Sequence, residues 1–66
     1  MNKVIGYRKM IGTQEIMAKE LGISVNTYAN KERGNSEFTR KEMMKFHQII
    51  KDRIGDITTV EGIFFY

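Results

Sequence analysis

A glycine at position 22 divides the stretch from Gln14 to Gly34 into two short helical runs, and no other feature of the chain constrains its fold as strongly. In the run QEIMAKEL, Met17, Ala18 and Leu21 recur three to four residues apart, which places them on one face of a helix. Gly22 ends that run because glycine takes the left-handed backbone of a helix terminus without steric cost. Ile23 follows as an apolar turn residue. Ser24 is a good N-cap for a second helix, whose Tyr28 should point back into the core. Gly34 stands at the C′ position of that second helix.

The remaining segments also read as helical, because proline is absent and no segment sustains apolar-polar alternation. An all-α chain of five helices is expected. The first should run from Asn2 to Met10, with Val4, Ile5 and one of Met10 and Ile11 inward, and Gly12 should end it. Thr13 then caps the second helix. The segment GNSEF, 34–38, reads as a polar loop anchored in the core by Phe38. Thr39-Arg40-Lys41-Glu42 has the form of a capping box and opens a longer helix. There Met43, Phe46, Ile50 and Ile54 define a buried stripe, while Lys41, Lys45 and Lys51 face solvent. Gly55 closes it. A second box, Thr58-Thr59-Val60-Glu61, starts closing turns that carry Ile63, Phe64, Phe65 and Tyr66, although Gly62 weakens them by roughly 1 kcal/mol. Met10, Met17, Met43 and Met44 have core-like spacing and suit adaptable packing.

With 66 residues and no linker-like stretch, residues 1–66 read as one small domain, which buries only roughly 60% of its unfolded surface. The absence of cysteine excludes a disulfide framework and a thiolate zinc site, so packing must hold the fold. His47 is the only histidine and reads as a helix-face residue, so neither a metal nor a cofactor is expected. No motif orders Ser, Thr, His and Asp for catalysis, and so small a domain offers little room for a water-excluding cleft. An enzyme with a small-molecule substrate is therefore not expected. No apolar run approaches the roughly 20 residues needed to span a bilayer, and MNKVIGYRKM is too polar for a signal peptide. These features predict a soluble, intracellular protein without a membrane partner. The net charge is +3, and residues 1–33 hold the whole excess, with six basic side chains against three acidic ones. That half would attract a polyanion, though modestly.

Taken together, Arg8-Lys9-Met10, TQEIMAKELGIS (13–24), TYANKERG (27–34), Phe38 and DITTVEGIFF (56–65) give the chain its resemblance. It resembles the small Cro- and CI-type repressors of temperate phages, the lambda-repressor-like or XRE helix-turn-helix family. The resemblance covers nearly the whole chain, and its last element is similar to the T-x-x-E-I-F-F ending of Cro-like proteins from phages of Gram-positive bacteria. Three departures stand out: Gly12 abuts Thr13 where relatives carry an extra apolar residue, Lys31 replaces a buried leucine or aromatic, and Gly62 replaces a helix former.

The resemblance implies a compact lambda-repressor-like domain whose helix-turn-helix, about 14–34, lays its second helix in the major groove of double-stranded operator DNA. Base contacts would then fall to Val25, Asn26 and Asn30. Residues 26 and 30 are four apart and share the face opposite Tyr28. Asn26 suits adenine N6 and N7, and Val25 suits a thymine methyl. Thr13 and Gln14 open the preceding helix, where free N–H groups receive a phosphate. Thr27, Lys31, Arg33, Asn35, Ser36, Arg40 and Lys41 are the further phosphate candidates. Glu32 is acidic in this basic neighbourhood, and the family suggests a structural pair with Arg8.

The function so implied is a Cro-like transcriptional regulator of a lysis-lysogeny switch, working in the cytoplasm of a bacterial host, with a homodimer reading two half-sites. The apolar ending supports an alternative, because Phe64, Phe65 and Tyr66 offer a protein interface. The chain would then modulate repression by capturing a partner phage repressor. An antitoxin-type regulator is a third reading.

Overall fold

The computed structural model describes residues 2–65, which form five helices: α1 Val4–Ile11, α2 Gln14–Leu21, α3 Val25–Glu32, α4 Arg40–Arg53 and α5 Val60–Phe64. No strand occurs among the described residues. The expected all-α architecture and number of helices are therefore present. Val4, Met17, Ala18, Tyr28, Phe46, Ile49, Ile50 and Ile63 form one buried cluster drawn from all five helices. Around it, Tyr28, Phe38, Phe64 and Phe46 make successive edge-to-face contacts at 5.9, 5.2 and 5.3 Å. Such ring pairs add about 0.5–1.5 kcal/mol each beyond their burial. The half-buried Phe38 thus ties the 33–39 loop to α3 and α5, as its anchoring role requires.

Local chemistry sets the helix ends. Thr13, Ser24 and Thr39 each turn a side-chain oxygen onto the main-chain N–H three residues later, at 3.1–3.2 Å. Thr39 completes its box, since Glu42 Oε1 accepts from the Thr39 N–H at 2.9 Å. Gly22 adopts φ 74°, and the paired bonds Gly22 N–H to Lys19 O and Ile23 N–H to Ala18 O close α2. Only glycine takes that backbone readily. The same pair of bonds, from Gly34 and Asn35 to Lys31 and Asn30, closes α3. α2 and α3 are joined by three residues and pack more extensively than any other helix pair, while α4 spans beneath α1, α2 and α5.

Several sequence expectations shift by a residue or a face. α1 starts at Val4, not Asn2, because the Asn2 side chain accepts from the Val4 N–H at 3.2 Å and so stands outside the helix. Its inward face is Val4, Tyr7 and Ile11, which leaves Ile5 and Met10 exposed. On α4 the buried residues are Phe46, Ile49 and Ile50. Ile54 is the C-cap just past the last helical residue, Arg53, and is exposed. Of the four methionines, only Met17 is fully buried; Met43 is half-buried, and Met10 and Met44 face solvent. Thr59, not Thr58, caps α5, so Gly62 occupies the third position and no second capping box forms. A side chain at 62 would also approach Thr58 Oγ1 to 2.7 Å, which accounts for a glycine in so short a helix.

Candidate nucleic-acid interface

α3 rests chiefly on α2, so one side of this helix is committed to the core and the other is open. Tyr28 and Glu32 lie on the buried side. Asn26, Asn30 and Arg33, spaced by four and then three residues, follow one exposed stripe on the opposite side. Val25 opens the helix at 38% exposure, and Thr27 is exposed beside it. The three base-contact candidates are thus all accessible on one short helix.

Glu32 is buried beneath that stripe, with a side chain only 3% exposed. Arg8 of α1 grips it with two hydrogen bonds, Nε to Oε2 and Nη2 to Oε1, both 3.0 Å. The structural pair expected from the resemblance is therefore present. Gln14, expected at a phosphate, adds a third bond from Nε2 to Glu32 Oε1 at 2.8 Å. Burial pushes the Glu32 carboxyl up, but the bonds from Arg8 and Gln14 and the Arg8 charge outweigh it, holding the carboxyl below its usual range. The bond to Glu32 in turn raises the Arg8 guanidinium. Tyr28 Oη is buried close by with no hydrogen-bond partner among the described residues. Burial and the neighbouring carboxylate raise its pKa far above the ordinary phenol value, so it stays a neutral hydroxyl.

Lys31 is likewise engaged. Its Nζ meets Glu42 Oε1 at 2.5 Å, and both side chains are nearly covered, at 12% and 13% exposure. Burial again favours the neutral acid, but the Lys31 bond and the Thr39 main-chain bond lower the Glu42 carboxyl. Lys31, expected at a phosphate, therefore joins α3 to α4 as an internal ion pair, with its ammonium engaged by Glu42. The contact joins segments eleven residues apart, which helical spacing alone does not reveal.

The other phosphate candidates are exposed. Thr13, Asn35, Ser36, Arg40 and Lys41 lie at the start of α2 and along the loop into α4. Arg40 and Lys41 make no ion pair among the described residues. Arg33 donates from Nη2 to Asn30 Oδ1 at 2.9 Å, a link that their three-residue spacing permits but does not announce. Glu32 and Glu42 are each held by a cation, whereas Glu15 in the first turn of α2 and Glu37 in the 33–39 loop are exposed and make no ion pair among the described residues, so the surface carries charges of both signs.

The expected protein interface divides. Phe64 packs between Phe38 and Phe46 and belongs to the core, whereas Phe65 is 68% exposed. Tyr66 lies outside the described residues. His47 is half-buried, with Nε2 at 3.0 Å from Thr58 O, so it ties α4 to the segment before α5. No group of three or more His, Asp or Glu side chains among the described residues is placed to hold a metal. Nor is any helix long and apolar enough to cross a membrane. No family model, curated protein or solved structure matches the chain.

Proposed function

We propose that the chain is a DNA-binding transcriptional regulator of the lambda-repressor-like kind, with α2 and α3 as its helix-turn-helix. α3 lies in the major groove and α2 crosses the backbone. With eight residues, α3 is about 12 Å long, a length that a groove about 12 Å wide accommodates. The observation that carries this reading is the outward face of α3. It presents the uncharged amides of Asn26 and Asn30 beside Val25, while the adjoining Glu32 and Glu42 are each held by a cation.

In this reading Asn26 and Val25 meet base edges, and Thr27, Asn35, Ser36, Arg40 and Lys41 meet phosphates. Thr13 and the main-chain N–H groups at the start of α2 add an anion contact. Gln14 orients Glu32 and contributes its main chain. A Cro-like role at the operator of a lysis-lysogeny switch follows, and a dimer would read half-sites about 34–36 Å apart. A mobility-shift titration tests the proposal: a duplex enriched from random sequence should bind at least about a thousandfold tighter than its scrambled counterpart. Equal binding of the two would refute it.

One observation favours a second reading, capture of a partner phage repressor. Phe65 and Met44 are exposed, and with Met43 and Val60 they line one groove between α4 and α5. If that groove is the functional surface, Phe65→Ala abolishes co-purification with the partner repressor and leaves DNA binding intact. An antitoxin-type regulator would instead co-purify with its toxin.

A further inference from the structure

Resting on the DNA-reading proposal, we infer that Asn30 and Arg33 act as one paired donor unit that selects guanine, so that Arg33 is a specificity residue and not only a phosphate contact. Arginine carries donors alone, so the Asn30 atom 2.9 Å from its Nη2 must be the amide oxygen. The Asn30 oxygen thereby gives one of its two lone pairs to the Arg33 cation, while the amide NH2 group stays available to donate. Adenine recognition by an asparagine needs both amide functions, an acceptor for N6 and a donor for N7. Asn30 held in this way presents that oxygen beside the Arg33 cation, which makes it a poorer acceptor for the adenine N6 donor. Guanine presents acceptors at O6 and N7, which match the Asn30 NH2 together with the remaining N–H donors of Arg33.

The surroundings support this assignment. Arg33 caps α3, and the Gly34 and Asn35 main-chain bonds fix its backbone. From there the side chain runs back toward the helix N-terminus, onto the same stripe as Asn30. Glu32 is taken by Arg8 and Gln14, Glu42 by Lys31 and the Thr39 N–H, and Arg33 itself makes no ion pair among the described residues, so its bond to Asn30 stands without a competing carboxylate contact. Both Asn30 and Arg33 are exposed, so the pair faces outward. Asn26 makes no such contact among the described residues and keeps both amide functions for adenine. The two asparagines of one helix face are therefore distinguished by a single neighbouring arginine.

Site selection from a randomised duplex library tests the inference, using the full chain and the variants Arg33→Ala, Arg33→Lys and Asn30→Ala, each first checked for cooperative thermal melting. The unaltered chain should enrich guanine at one position of each half-site, and Asn30→Ala should relax that position alone. Arg33→Ala should weaken the guanine duplex roughly 5- to 150-fold and shift that position toward adenine, because the Asn30 oxygen is released. Arg33→Lys keeps the charge without the fork, so it should preserve the salt dependence yet lose the guanine. If Arg33→Ala weakens every duplex equally and guanine persists, Arg33 is a phosphate contact and the inference is overturned. A position relaxed by Asn30→Ala that shows no guanine in the unaltered chain overturns it as well, while DNA reading stands. No enriched site for the unaltered chain overturns the DNA-reading proposal itself.

Discussion

Arg8 and Glu32, 24 residues apart, face each other through two parallel hydrogen bonds of 3.0 Å, and this contact fixes α1 against the end of α3. Gln14 donates to the same carboxylate from α2, so one buried acid is shared by three helices. The orientation of α3 relative to the rest of the molecule, and with it the direction in which Asn26 and Asn30 point, depends on this junction.

Arg8→Ala leaves the Glu32 carboxylate buried without its countercharge. Breaking such a pair costs about 3 kcal/mol, a large fraction of what a domain of this size has. Chemical denaturation should show the variant losing most of its stability. An unchanged midpoint would mean that the junction does not hold the fold.

The same junction predicts the response to acid. The Glu32 carboxyl is lowered in the folded state, so its contribution is fully present above the unfolded value near 4.5 and is lost as pH falls through the folded value. Glu42 is lowered too and acts in the same direction. Stability measured by urea titration should therefore decline below about pH 4.5. Glu32→Gln should be less stable than the unaltered chain at pH 7, and the gap should narrow as pH falls.

Thr39 caps α4 through a complete box, whereas Thr58 caps nothing. Thr39→Ala should destabilise the chain by about 1 kcal/mol and Thr58→Ala by much less. Thermal melting of the two variants separates this assignment from the one that the spacing of Thr58 and Glu61 suggests.

Asn26 and Lys41 should give opposite signatures in DNA binding. Asn26→Ala removes a base contact, so it should cost about 1–3 kcal/mol on the selected duplex and little on a scrambled one. Lys41→Ala removes a phosphate contact and should weaken both alike, lowering the slope of log affinity against log salt by about 1. Anisotropy titrations at several salt concentrations distinguish the two.

Much of the fold was legible because its signals are local. Gly22 and Gly34 end helices, and Thr13, Ser24 and Thr39 begin them, each through bonds within five residues. The structure departs from local signals where packing intervenes: the Thr58–Glu61 spacing suggests a box, yet Thr59 caps α5, and Ile5 is expected inward, yet Val4, Tyr7 and Ile11 form the inward face of α1. Tertiary packing decided those cases. Within the candidate site, exposure of Asn26 and Asn30 followed from their spacing to Tyr28, and the Arg8 pair from resemblance. The roles of Gln14 and Lys31 did not, because each depends on a carboxylate brought near only when the helices dock.

Amide chemical-shift mapping of the full chain with its selected duplex tests the central claim most directly. The account predicts the largest perturbations along Val25–Asn30, at Thr13 and Gln14, and from 33 to 41, with α5 little affected. Perturbations confined to Met44, Val60 and Phe65, or none on α3, would contradict it.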